Sequence, residues 1–150
     1  MRDFAAEVAR VGAELERDRF AAVGRLRGLE EQWARSLLGI ADGDALTESV
    51  RRWVERGPDV AVAAQAIAHL QEAERWQWEI GTWASGAGEG LSSMAEVRKL
   101  QAAQAWLRAA TGDVDRARAL IAEVEGDPNG MGRYEAESTN ALKARLGSAG

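Results

Sequence analysis

The sequence predicts an all-α fold, a bundle of five to six helices with a long N-terminal helix. Three observations carry that prediction. Apolar residues recur at steps of three and four, the period of one helix face. No run alternates apolar and polar residues as a half-buried strand would. Only two prolines interrupt 150 residues rich in alanine and arginine, both good helix formers. At that length a single domain, 1–150, is expected, with enough chain to bury a substantial core.

Residues 1–41 read as a long helix, or as two nearly collinear ones. Phe4, Val8, Val11 and Leu15 step by 4, 3 and 4, a coiled-coil-like seam. Charge then surrounds the helix at Glu16, Arg17, Asp18 and Arg19. Phe20, Val23, Leu26, Leu29, Trp33 and Leu37 resume the seam on a drifted face. A continuous helix of about 40 residues would span about 60 Å, more than a compact domain of this size, so it protrudes or bends. Gly24 and Gly28 in VGRLRG are the expected bend. A protruding apolar seam asks for a partner, most simply a second copy.

Residues 44–146 read as a compact helical body. ADGDA (41–45) is a turn, and Leu46, Val50, Trp53 and Val54 make a short amphipathic helix closed by Gly57-Pro58. Asp59 to Ala84 is the central helix and holds three of the six tryptophans. Wound at 100° per residue, Val62, Ala63, Ala66, His69, Leu70, Ala73, Trp76, Ile80, Trp83 and Ala84 share an arc of about 160°. Gln77 sits in the middle of that arc and His69 on its edge. They are candidate polar residues of a cleft, against the plainer reading that each bonds a nearby carbonyl or water. Trp78 lies off the arc. It either packs on a second element or forms part of a partner surface, where tryptophan is enriched.

SGAGEG (85–90) is the clearest loop. Its G-x-G-x-G would need a preceding strand to cradle phosphate, and a helix precedes it, so a connection is expected. Ser93 to Glu96 has the form of a capping box, opening a helix marked by Met94, Val97, Leu100, Ala103, Leu107 and Ala110, which should lie antiparallel on the central helix. Thr111-Gly112-Asp113 ends it and caps the next, Val114 to Glu125. A final helix runs from about Tyr134 to Leu146.

Within this part, AWLRAATGDVDRARALIAEV resembles a tetratricopeptide hairpin. Ala105, Gly112, Asp113, Ala117 and Ile121 occupy that family's small, turn and large apolar positions. The resemblance covers about one repeat, residues 97–128, and implies an antiparallel helical hairpin. Gln101 and Gln104 stand where the family has large apolar residues, Pro128 comes one place early, and no second copy lies a repeat length away. An array needs about three repeats.

The chemistry on offer is narrow. There is no cysteine, which removes disulfides, thiolate metal sites and thiol nucleophiles. One histidine cannot build a multi-histidine metal site. Carboxylates are plentiful, but Glu72-x-Glu74 and Glu123-x-Glu125-x-Asp127 place neighbours about 200° apart on a helix, the pattern of a solvated face. Glu125, Asp127, Asn129 and Gly130 fit positions of a calcium loop, yet its last ligand position is Ala136. No cofactor is expected. Net charge is −5, with 10 bases and 11 acids in residues 1–58 and 9 and 13 in the remainder, so bulk attraction to nucleic acid is absent. No stretch is long and apolar enough to span a bilayer, and the first residues lack a secretory h-region. A cytoplasmic protein is the default.

The expected function is therefore a non-enzymatic protein–protein interaction or scaffold protein that self-associates as a homodimer. Its candidate partner surface is Phe4, Val8, Val11 and Leu15, with Trp78 as a further anchor. One alternative is an all-α nucleotide- or small-ligand-binding enzyme using carboxylate-bound Mg²⁺. A second is a nucleic-acid adaptor using Arg17, Arg19, Arg25 and Arg27, or Arg51, Arg52 and Arg56.

Overall fold

A computed structural model describes residues 2–87, 90–127 and 132–149. Among these there are seven helices and no strand: α1 (Phe4–Gly12), α2 (Arg19–Leu38), α3 (Leu46–Glu55), α4 (Val60–Ala87), α5 (Gly90–Ala110), α6 (Val114–Glu125) and α7 (Arg133–Ala149). The all-α expectation holds.

The long N-terminal helix does not. The chain leaves α1 through consecutive turns at residues 13–17 and re-enters a helix at Arg19. Asp18 caps that entry, its Oδ1 accepting from the Ala21 amide at 3.2 Å. The bend therefore falls in the charged segment, and Gly24 and Gly28 lie inside α2. Burial of the seam is the driving force. Val11 is buried, and Val8 and Leu15 pack beside it against Ala22, Val23, Leu26 and Trp76. A straight helix would leave that apolar surface in water.

The helices α2, α4, α5 and α6 pack side by side, each antiparallel to the next. Arg19 reaches Glu79 while Glu30 reaches His69. Gln101 meets Glu74 on one side and Glu123 on the other. In turn, α3 packs on α5, α7 joins α3, α5 and α6, and α1 lies along α2, its seam reached by Trp76 of α4.

The interior divides in two. The larger cluster joins the ends of α2 and α3 to α4–α7, with Leu70, Leu100, Trp106, Leu107 and Leu120 fully buried. The smaller holds α1 and the first half of α2 against Trp76. The tryptophans thus serve separate packings. Trp106 is in the main core and Trp76 in the second. Trp33 is sandwiched between Phe4 (5.9 Å) and His69 (3.8 Å).

Helix ends follow local chemistry. Gly112, with φ 85°, closes α5 by sending its amide to the Ala109 carbonyl and the Asp113 amide to that of Arg108, the paired bonds that favour glycine there. Asp113 then caps α6 through the Arg116 amide at 3.2 Å. At the connection expected over 85–90, α4 runs on to Ala87 and α5 begins at Gly90. Gly88 and Glu89 lie outside the described residues. Since α5 starts ahead of Ser93, that serine does not open it, and its side chain lies outside the described residues.

Candidate functional site

Two polar regions interrupt the apolar packing. The first is a row on α5 pointing between α4 and α6. Arg98, Gln101 and Gln104 repeat every three residues, which keeps them on one helix face. Gln101 is 2% exposed and Gln104 fully buried, so their amides need partners. Glu74 supplies them. Its Oε1 accepts from Gln104 Nε2 at 2.8 Å, and its Oε2 from Gln101 Nε2 at 3.1 Å and Trp78 Nε1 at 3.0 Å. Gln101 also donates to Glu123 at 2.8 Å. Arg98 donates to Gln101 Oε1 at 2.7 Å and to Asp127 at 3.1 Å.

This row reassigns several residues. Glu74 is half-buried and drawn into the row, while Glu123 stays on an exposed face and accepts from Gln101 there. Asp127 is engaged by Arg98 and Glu125 by Lys143. Residues 128–131 of the calcium-loop expectation lie outside the described residues. The row was foreshadowed by the two glutamines standing where large apolar residues belong, but their acceptor sits on another helix, 27 and 30 residues away.

Trp78 flanks the row. It is 42% exposed, its indole N–H is held by Glu74, and the Arg98 guanidinium lies 5.7 Å from its ring. With Arg116, Ala122 and Gly126 it lines a cleft of about 380 Å³. The expectation that Trp78 faces a second element is met by Arg98, while much of the ring stays open to a partner.

The second region is a charged cleft of about 530 Å³ bordered by Arg27, Arg35, Glu96, Lys99 and Glu135. Its cations are engaged. Arg35, 7% exposed, donates to Glu31 at 2.8 Å and to the Ala41 and Asp44 carbonyls at 3.0 and 3.1 Å, stapling the α2–α3 turn. Arg27 contacts Glu31 at 3.0 Å and Glu96 at 3.2 Å, and donates to Gln77 Oε1 at 2.9 Å. Lys99 meets Glu96 at 3.1 Å. Glu135 is 4% exposed and lies 3.4 Å from the Thr47 hydroxyl. As a first-turn acid of α7 it is favoured by the helix dipole. Among the described residues no cluster of three histidines or carboxylates is placed to hold a metal.

His69 and Gln77, the candidate cleft residues, are not brought together. Gln77 is buried behind Arg27. His69 Nδ1 lies 2.7 Å from the buried Glu30 carboxylate, and its ring stacks on Trp33. Each has a charged side chain within hydrogen-bond distance.

Of the seam residues, Val8, Val11 and Leu15 join the second core, Val8 and Leu15 half-buried, while Phe4 stacks separately on Trp33. Phe4 is covered by Trp33, with Arg2 4.5 Å above its ring. Arg2 also hydrogen-bonds Glu7, and that contact holds the Glu7 carboxyl below its ordinary range. The arginines suggested for nucleic acid are largely engaged: Arg19 with Glu79, Arg25 with Glu14, Arg27 with Glu31 and Arg51 with Glu55. Among the described residues no helix is long and apolar enough to cross a membrane. No protein-family model, curated protein or solved structure matches this chain.

Proposed function

We propose that this chain is a non-enzymatic interaction or scaffold protein that self-associates through its N-terminal helix as a homodimer. One observation carries the reading: the backbone of α1 comes close to α2 alone, and its apolar seam closes, with Trp76 of α4, a second core separate from the main one. A short element that can part from the body, with a matched groove beneath it, is a natural point of association. Trp78 supplies a second surface, for a different protein, because a half-exposed indole held by Glu74 needs little ordering on binding. The tetratricopeptide-like hairpin of α5 and α6 and a cytoplasmic setting belong to the same proposal. Sedimentation at high micromolar concentration should show a monomer–dimer equilibrium. A lone monomer throughout would defeat the self-association part.

A second reading is favoured by the charged cleft, whose volume suits a small polar ligand. A thermal-shift screen with nucleotides and divalent cations separates the two, since a ligand of the native state raises its melting temperature. Nucleic-acid binding ranks behind both, because four of its seven arginines are paired with acids.

A further inference from the structure

We propose that self-association occurs by exchange of α1 between two copies, with residues 13–18 straightening so that α1 and α2 become one helix. This rests on the self-association reading above and specifies its mechanism.

The first ground is the phase of the apolar stripe. On a continuous helix Phe4, Val8, Val11, Leu15, Ala22, Leu26, Leu29 and Trp33 fall within about 60° of one another at 100° per residue. Val8, Leu15, Ala22 and Leu29 are spaced by seven, so one heptad row runs through the bend, while Phe20 and Val23 give the drift of the wider seam. A true loop has no need to preserve that register. In the folded chain the two halves of the stripe face each other as an antiparallel hairpin.

The second ground is the bend itself. It holds neither proline nor glycine between Ala13 and Asp18. Ala13, just past α1, already has helical torsions (φ −68°, ψ −17°). The Ala13 amide bonds the Ala9 carbonyl and the Asp18 amide that of Glu14, both i to i−4 bonds as in a helix. Few torsions separate the bent chain from a straight one. Asp18 holds the break through its cap on α2.

The third ground is that the groove's occupant is already known. Arg2–Gln32, Phe4–Trp33 and Glu14–Arg25 pair residues whose numbers add to between 34 and 39. In an antiparallel pair of straightened copies the same contacts form between chains, and Asp18 of each falls opposite Arg19 of the other. Exchange of an identical element is a low-cost route to a dimer for this reason.

The test uses the full chain. It has no native cysteine, so single-cysteine chains Arg2→Cys and Gln32→Cys can be mixed and oxidised. Exchange gives a heterodimer joined by a 2–32 disulfide. Asp18→Ala removes one cap per chain, two per dimer, and should raise the dimerisation constant on the order of 30-fold. Glu16→Pro, incompatible with a continuous helix, should give monomer only. A dimer that forms without the mixed disulfide, while the double-cysteine chain closes within itself, overturns exchange and leaves self-association standing. Monomer alone at high micromolar concentration, in both the natural chain and Asp18→Ala, overturns both. Should Asp18→Ala fail to fold, the mixed disulfide in the otherwise natural chain and its loss in Glu16→Pro decide the matter.

Discussion

Replacing Glu74 by alanine should separate a structural polar row from an ornamental one. The substitution removes the acceptor of three donors: Trp78 Nε1, Gln101 Nε2 and Gln104 Nε2. Their fates differ. Trp78 is 42% exposed and turns to water, and Gln101 keeps Glu123. Gln104, with no exposure, is left with an unpaired amide. Stranding one buried amide costs about 1–3 kcal/mol, and the loss of a charged acceptor favours the upper half of that range. Alanine returns a few tenths as the better helix former. A net loss of about 2 kcal/mol should lower the melting temperature of a chain this size by about 4–8 °C. The companion change is Gln104→Leu, which removes both the amide and its carbonyl oxygen, itself buried without a partner. It should be near neutral alone and should recover about 1–2 kcal/mol in the Glu74→Ala background. Urea titration of the four chains measures the coupling. If Glu74→Ala loses less than about 0.5 kcal/mol, or Gln104→Leu recovers nothing in its background, the row is not what satisfies α5.

Three further outcomes are expected. Phe4→Ala removes the Trp33 stack and the Arg2 contact, so amide-exchange protection should fall across residues 4–12 and remain unchanged in α5 and α6, because the backbone of α1 comes close to neither; uniform loss would disprove that independence. Gly112→Ala should cost about 1–2 kcal/mol by urea titration through its left-handed backbone, since a methyl group there meets no atom within 4 Å, and an unchanged midpoint would count against it. The Glu7 carboxyl, lowered chiefly by its hydrogen bond from Arg2, stabilises the docking of α1 above the ordinary carboxylate range, and that contribution disappears as pH falls through the depressed value. Protection factors in α1, corrected for the slower intrinsic exchange in acid, should fall on acidification, and Glu7→Gln should flatten the response.

What could be read in advance was what local chemistry decides. Gly112 and Asp113 announce the α5–α6 turn because a left-handed backbone and a side-chain cap are properties of the residues themselves. The face of α4 was legible for the same reason: Ala63, Ala66, Leu70, Ala73 and Trp76 are buried, as the 3.6-residue period requires. The polar row was half legible. Gln101 and Gln104 stood out as misfits, but nothing in a single sequence ties them to a carboxylate on a different helix, so Glu74 passed for a surface acid. Likewise nothing in the sequence joins His69 to Glu30, which lies 39 residues away on another helix.

The bend between α1 and α2 was not legible because two architectures share one pattern. Gly24 and Gly28 attracted attention, yet neither has any atom within 4 Å of where a side chain would start. At about 1 kcal/mol each relative to alanine, two glycines do not stop a helix of this length. Asp18 and the gain from closing seam on seam select the bent form. A segment tethered by a short hinge sees its own groove at an effective concentration on the order of millimolar. On the proposed exchange, dilute chains would close on themselves, and intermolecular pairing would compete only as concentration approaches that value or as the Asp18 cap is lost. The proposal thus makes the balance between the closed and exchanged forms a matter of the cap at residue 18.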